Sequence, residues 1–183
     1  MITTKDFINS NLPAILEELF SLIRIPSVSA HMHAKDALYA CANQWVEILL
    51  KSGVDSAVVM ETKGNPVVYA EKLIDQSLPT VLVYGHYDVM PAEPLELWVS
   101  PPFEPEVRDG KIYARGADDD KGQSFMHAKA FAYLVQTNQL NCNVKFLLEG
   151  EEEIGSPNLE AFCEENKSLL ACDTILVSDT SML

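Results

Sequence analysis

Basic residues are scarce in this sequence. Lys and Arg number 13 against 27 Asp and Glu, for a formal net charge of −14. Phosphate recognition draws on clustered Lys and Arg, so this balance argues against nucleic acid and against anionic membrane surfaces. Long apolar runs are missing as well; nothing approaches the ~20 residues of a membrane span. The segment Met1 to Phe20 carries Lys5, Asp6, Glu17 and Glu18 and lacks the apolar core of a signal peptide. Cysteine is sparse: Cys41, Cys142, Cys163 and Cys172 form no Cys-x-x-Cys pair. Their spacing suits neither a zinc knuckle nor a disulfide scaffold. They read as thiols of a reducing compartment, and a cytoplasmic location is expected. Repeats and low-complexity tracts are absent.

What is present is enough chain for one packed domain, 183 residues with an ordinary apolar fraction. Helical spacing runs from about Thr4 to Arg24 through Phe7, Leu12, Ile15, Leu16, Leu19 and Ile23, with Pro26 at the exit. A second helix is expected over Lys35 to Lys51, stopped by Gly53. Strands are expected at Val54 to Glu61 and Pro66 to Lys72, around a Lys63-Gly64-Asn65 turn. Thr80 to Tyr84 and Asn143 to Leu148 are short apolar runs of the fully buried kind. A long Pro-rich loop, Met90 to Pro105, leads to an Asp109-Gly110 turn and a short strand at Lys111 to Ala114. A helix is expected over Gly122 to Thr137. Another should start at Ser156 and Pro157 and run to about Leu170. A last strand covers Thr174 to Val177. Strands interleaved with helices imply an α/β domain with a largely parallel sheet and an antiparallel hairpin at one edge.

Three of these strands end in acids or histidine. TVLVY is followed by Gly85-His86-Tyr87-Asp88, NVKFLL by Glu149-Gly150-Glu151-Glu152-Glu153, and TILV by Ser178-Asp179. A fourth cluster, Asp118-Asp119-Asp120, precedes the Gly122 helix. Each alone reads as a solvated turn, and a lone histidine after a strand is usually a satisfied polar residue. Ligands of open α/β sheets bind at the carboxyl ends of strands, however, so the four clusters are expected to converge. Packed carboxylates repel one another, and a divalent cation removes the conflict. One imidazole with several carboxylates is a mixed nitrogen and oxygen donor set that suits zinc; iron, manganese and cobalt satisfy it too. Asp88, two residues after His86, is placed to fix the tautomer of a ligating imidazole. His31 and His33 read as loop residues, and His127 as a structural or exposed helix residue.

The segment Gly85-His86-Tyr87-Asp88-Val89-Met90-Pro91 resembles the His-x-Asp-x-x-Pro signature of a dinuclear-zinc metallopeptidase family. That family includes cytosolic non-specific dipeptidases, carnosinases, aminoacylases, acetylornithine deacetylases and succinyl-diaminopimelate desuccinylases. Tyr113 to Gly122, Leu148 to Ser156 and Val177-Ser178-Asp179 resemble its later motifs in order, and the wording is nearest to the dipeptidase branch. The resemblance implies a three-layer α/β/α catalytic domain with a mostly parallel mixed sheet. It implies two zinc ions, with manganese or cobalt as substitutes. His86 and Asp179 would complete one metal site, Asp119 would bridge, and Glu153 would bind the second ion. Glu152 would be the general base and Asp88 would orient His86. The triplets leave a one-residue offset open, Asp118 or Asp120 for Asp119 and Glu151 for Glu152; Lys121-Gly122 and Gly155-Ser156 anchor the residues named. A cis peptide between Asp119 and Asp120 is also implied.

The activity implied is hydrolysis of amide bonds in dipeptides or small peptides by a metal-activated water. The alternatives are N-acyl-amino-acid deacylation and a non-catalytic metal-binding fragment. Family members are longer. Residues 1–183 are therefore expected to be the N-terminal portion of the catalytic domain. A lid or dimerisation domain, a final histidine ligand and the substrate-carboxylate groups are expected to lie elsewhere, and a homodimer would form through that lid.

Overall fold

The computed structural model describes residues 2–31 and 33–181. Helix α1 (Thr4–Ile23) opens on a capping box in which Thr3 and Asp6 satisfy each other's backbone N–H groups. Helix α2 (Lys35–Ser52) ends at Gly53, whose φ of 106° is the left-handed cap the sequence predicts. Strands β1 (Ser56–Met60) and β2 (Val67–Lys72) form the expected hairpin, and β3 (Thr80–His86) extends two residues beyond the predicted run. Strands β4 (Glu106–Arg108) and β5 (Lys111–Tyr113) pair across Asp109-Gly110. Helix α3 (Lys121–Gln136) precedes β6 (Asn143–Glu149), which is buried along its whole length.

The helix expected from Ser156 to Leu170 is two helices, α4 (Leu159–Glu165) and α5 (Lys167–Leu170), and β7 (Thr174–Val177) follows. Ser156 does not cap. It has a φ of 50°, and its hydroxyl donates to Glu149 at 2.9 Å. Asn158 takes the cap position, with its side-chain amide donating to Glu151. The break comes at Asn166, whose side chain donates to the Phe162 carbonyl.

The main sheet runs β1-β2-β6-β3-β7. The hairpin adds two antiparallel pairings, β1 to β2 and β2 to β6, while β6-β3-β7 is parallel. Alternation along the strands divides the core between the two faces. Val68, Val83, Val144, Phe146 and Leu148 pack beneath α1, α2 and α3 with Leu38, Trp45, Phe125 and Phe131. Tyr69, Leu82 and Leu147 meet Phe162 and Leu170 of α4 and α5 on the other face. This is the three-layer α/β/α arrangement. The chain leaves β3 through α3 on one face and leaves β6 through α4 and α5 on the other. The crevice between the carboxyl ends of β3 and β6 is thus a topological switch point, the place where such sheets bind ligands. No described helix is long and apolar enough to cross a membrane.

Candidate metal centre

His86 and Glu149 are register partners at the ends of β3 and β6, so both side chains stand at this crevice. They face different surroundings. Glu149 is almost fully buried and accepts from the Tyr84 hydroxyl at 2.5 Å and from Ser156. Burial raises its pKa against the lowering effect of those two bonds. His86 is fully buried too, but its Nε2 edge looks toward carboxylates. Asp119 Oδ1 lies 3.1 Å from Nε2, and Glu152 Oε2 and Asp179 Oδ2 each lie 3.9 Å away. Ligand atoms of His86, Asp119 and Asp179 all fall within 4.8 Å of one another. Three segments distant in sequence supply them: the end of β3, the loop before α3 and the exit of β7.

The opposite edge of the imidazole fixes its orientation. Nδ1 lies 3.0 Å from the Asp88 carbonyl and 3.3 Å from Asp88 Oδ1. Both are acceptors, so Nδ1 carries the proton and Nε2 is directed at the acidic group. Asp88 has a second task that the sequence reading missed. Its two carboxylate oxygens accept the Glu152 and Glu153 N–H groups at 3.2 and 3.1 Å, which ties the glutamate turn to the histidine.

The acidic triplets separate by role. In the first, Asp119 faces His86, whereas Asp120 turns inward and accepts the His86 N–H at 3.0 Å and the Ser124 hydroxyl at 2.5 Å. The peptide between Asp119 and Asp120 is cis. In the second, Glu151 is turned away and accepts from Asn65 N–H and Asn158, fastening the β1–β2 hairpin to the site. Glu153 stands beside the group of three rather than in it, and its Oε1 accepts the Met90 N–H at 3.1 Å. Burial, then the charges of Asp119, Asp88 and Glu152, push its pKa up to about 6, against the lowering effect of His86.

Close packing holds these pieces together. A Cβ at Gly150 would lie 2.3 Å from the Tyr87 hydroxyl, so only glycine lets the glutamate turn pass over that buried ring. Lys121, fully buried, donates to the Leu22 and Ile25 carbonyls at 2.9 and 2.7 Å and so ties the start of α3 to the end of α1. Nothing in the residue pattern announces these contacts, because each joins segments far apart in the chain. His31 and His33 stack on each other with centroids 5.3 Å apart, outside the acidic group, and His127 bonds to Ser178.

Residues 82–183 match the family model of Peptidase family M20/M25/M40. This chain belongs to that family. The Beta-Ala-His dipeptidase of Rattus norvegicus is 39% identical over 121 residues, covering 64% of this chain and 25% of the relative. Among solved structures, an M20 family metallo-carboxypeptidase from Sulfolobus solfataricus superposes with a TM-score of 0.83 at 41% identity, covering 92% of this chain and 38% of that one. Human carnosine dipeptidase 1 superposes with a TM-score of 0.86 at 29% identity, covering 96% of this chain and 40% of that one. The chain spans about a quarter of the length of the curated relatives it matches.

Family membership implies use of a divalent metal, and the local electrostatics fit one. Burial alone would lower the His86 pKa, but the hydrogen bond and charge of Asp88, with Asp120 and Asp119 behind them, push it up to about 10. A protonated imidazole then faces these carboxylates. Glu152 is raised as well, first by burial and then by Asp179, Asp88 and Asp119, with His86 opposing. A cation beside Nε2 would satisfy the imidazole lone pair and the surrounding acids together.

Proposed function

We propose that this chain carries metal-binding and proton-transfer residues of a metal-dependent peptidase that hydrolyses dipeptides or small peptides. The observation that carries the reading is the convergence of His86, Asp119 and Asp179 within 4.8 Å, with the Glu152 carboxylate 3.9 Å from His86. His86 and Asp179 would hold one zinc ion, and Asp119 would bridge toward a second ion at Glu153. Bound zinc supplies Lewis acidity, polarising the scissile carbonyl and making water easier to deprotonate. The rest of the chemistry belongs to side chains. Glu152, lifted above the ordinary carboxylate range, takes a proton from the attacking water and passes it to the leaving amine. Asp88 holds His86 in the ligating tautomer and fixes the Glu152 backbone, so base and ligand are aligned by one buried carboxylate.

The dipeptide preference is supported by relatives named as dipeptidases and by the motif wording. Residues 1–183 are proposed to belong to one catalytic domain, supported by the five-stranded sheet that both core layers share. A cytoplasmic setting is part of the same proposal, supported by four free thiols.

The test is a pair of substitutions in the active protein. Glu152→Gln should lower dipeptide turnover by roughly 10²–10⁴-fold, the contribution of a positioned acid–base group, while zinc content stays near wild type. Glu153→Ala should instead lower zinc content. The reverse pattern would show the glutamate register to be off by one. N-acyl amino acids run beside dipeptides decide between peptide and acyl amides.

A further inference from the structure

The ladder between β3 and β7 ends at Val177, two residues short of Asp179. Past that point the sheet no longer holds the chain. Asp179 also stands among like charges: its Oδ2 lies 3.9 Å from the His86 Nε2, which Asp119 and Glu152 also approach. Repulsion of this kind would swing a loosely held aspartate into solvent before any metal arrives. What restrains the segment comes from α3. His127 Nε2 bonds the Ser178 hydroxyl. Gln123 donates to the Thr180 carbonyl at 2.7 Å and accepts from the Thr180 hydroxyl at 3.2 Å. Gln123 and His127 are one turn apart on the same helical face. They grip the two residues that flank Asp179 and leave its carboxylate free to face His86.

The geometry points to Gln123 and His127 as positioning residues that hold Asp179 in its ligating place. The inference rests on the reading of Asp179 as a metal ligand. It gives α3 a wider part than carrying the loop of Asp119. Lys121 fixes the start of the helix to the end of α1, and Ser124 holds Asp120, which in turn holds the His86 backbone. Gln123 and His127 then bring in Asp179. The first two turns of one helix thereby set the relative positions of all three ligands, although one of them follows nearly sixty residues downstream, beside Thr180, which is 57 residues from Gln123.

The experiment is calorimetric titration of the full chain with zinc chloride. The variants are Gln123→Ala, His127→Ala, His127→Gln and Asp179→Ala, with each alanine variant of α3 also made in the Asp179→Ala background. Metal-free thermal unfolding runs alongside. Gln123→Ala and His127→Ala should each weaken zinc binding about 10-fold, at the low end for groups that orient a ligand from outside. Neither should add anything once Asp179 is gone, because both act through it. His127→Gln, which keeps a group able to bond Ser178, should bind zinc like wild type. Unchanged affinity in Gln123→Ala and His127→Ala overturns the positioning role, and so does a loss that persists in the Asp179→Ala background. If His127→Ala fails to fold, Gln123→Ala and His127→Gln decide by the same criteria. Unchanged affinity in Asp179→Ala itself would sink the ligand reading, and the positioning role with it.

Discussion

His86 shows how much one side chain is asked to do. It is buried without exposure, it holds a proton on Nδ1 for Asp88, and it turns Nε2 toward three acids. In the metal-free chain its pKa rises from the ordinary 6.5 to about 10, so between those values the folded state holds a proton that the unfolded state has lost. The sign follows. This stabilisation is complete below pH 6.5 and disappears as the pH climbs through 10. Zinc requires the imidazole lone pair, so it must displace that proton, and its affinity should grow with pH across the same window. Titrations at neutral pH in buffers of different protonation enthalpy should report about one proton released per zinc. No release would mean that the imidazole is already neutral and that the charge of the site is balanced elsewhere. Asp88 is held on two sides. It is as deeply buried as His86, and it receives the peptide N–H groups of Glu152 and Glu153. The motif spacing made its service to His86 legible. Its hold on the glutamate turn was not, because that turn is far away in sequence.

At the scale of elements, what the sequence disclosed depended on whether the signal was local. Helix α2 was legible because its apolar spacing ends on a glycine that must adopt positive φ. Strands β3, β6 and β7 were legible as short β-branched runs, and their acidic endings marked the candidate site. The division of α4 from α5 was hidden, since apolar residues recur at helical spacing across Asn166, where the backbone leaves the helical region (φ −116°, ψ 24°). Strand β4 was hidden because Glu106–Arg108 is short and largely exposed, and becomes a strand only by pairing with β5. The junction before α3 was legible as an acidic loop but not as a packing constraint. A Cβ on Gly122 would lie 1.9 Å from the Ala117 carbonyl oxygen, a backbone atom that cannot step aside alone. Gly122→Ala should therefore force the loop of Asp119 away from the helix start and destabilise the chain by about 1–3 kcal/mol, the usual cost of overpacking. Denaturant unfolding of the metal-free chain measures this. Wild-type stability would show that the loop can shift freely, and would weaken the case that α3 fixes the position of Asp119.

The molecule as a whole sets a short-range attraction against a longer-range repulsion at one edge of its sheet. Strand β1 and the hairpin side of the sheet lie against α2, but β7 pairs with β3 on one side only. Its residues stay open to solvent: Ile175 is 60% exposed, Leu176 41% and Val177 50%. Apolar grooves flank the strand on both faces, one with Leu82, Tyr84 and Ile175, the other with Val81, Val83 and Leu176. An edge that is exposed, apolar and free of charge is a template for pairing with a second copy. Opposing it is the net charge of −14, which repels like molecules at a distance. Salt should tip the balance. The screening length shrinks to about 10 Å at 0.1 M ionic strength and about 3 Å at 1 M, whereas burial of the apolar edge is not weakened by screening. Residues 1–183 by themselves should therefore be mostly monomeric when dilute in low salt and should self-associate as protein and salt concentration rise. Ile175→Lys puts a charge on the exposed strand without touching His86, Asp119 or Asp179, and should suppress the association while leaving zinc affinity unchanged. Sedimentation velocity across a salt series, on wild type and Ile175→Lys, reads the outcome. Association that falls with salt would place the contact on charged surface instead of β7, and a monomer under every condition would show that the flanking acids already protect the edge.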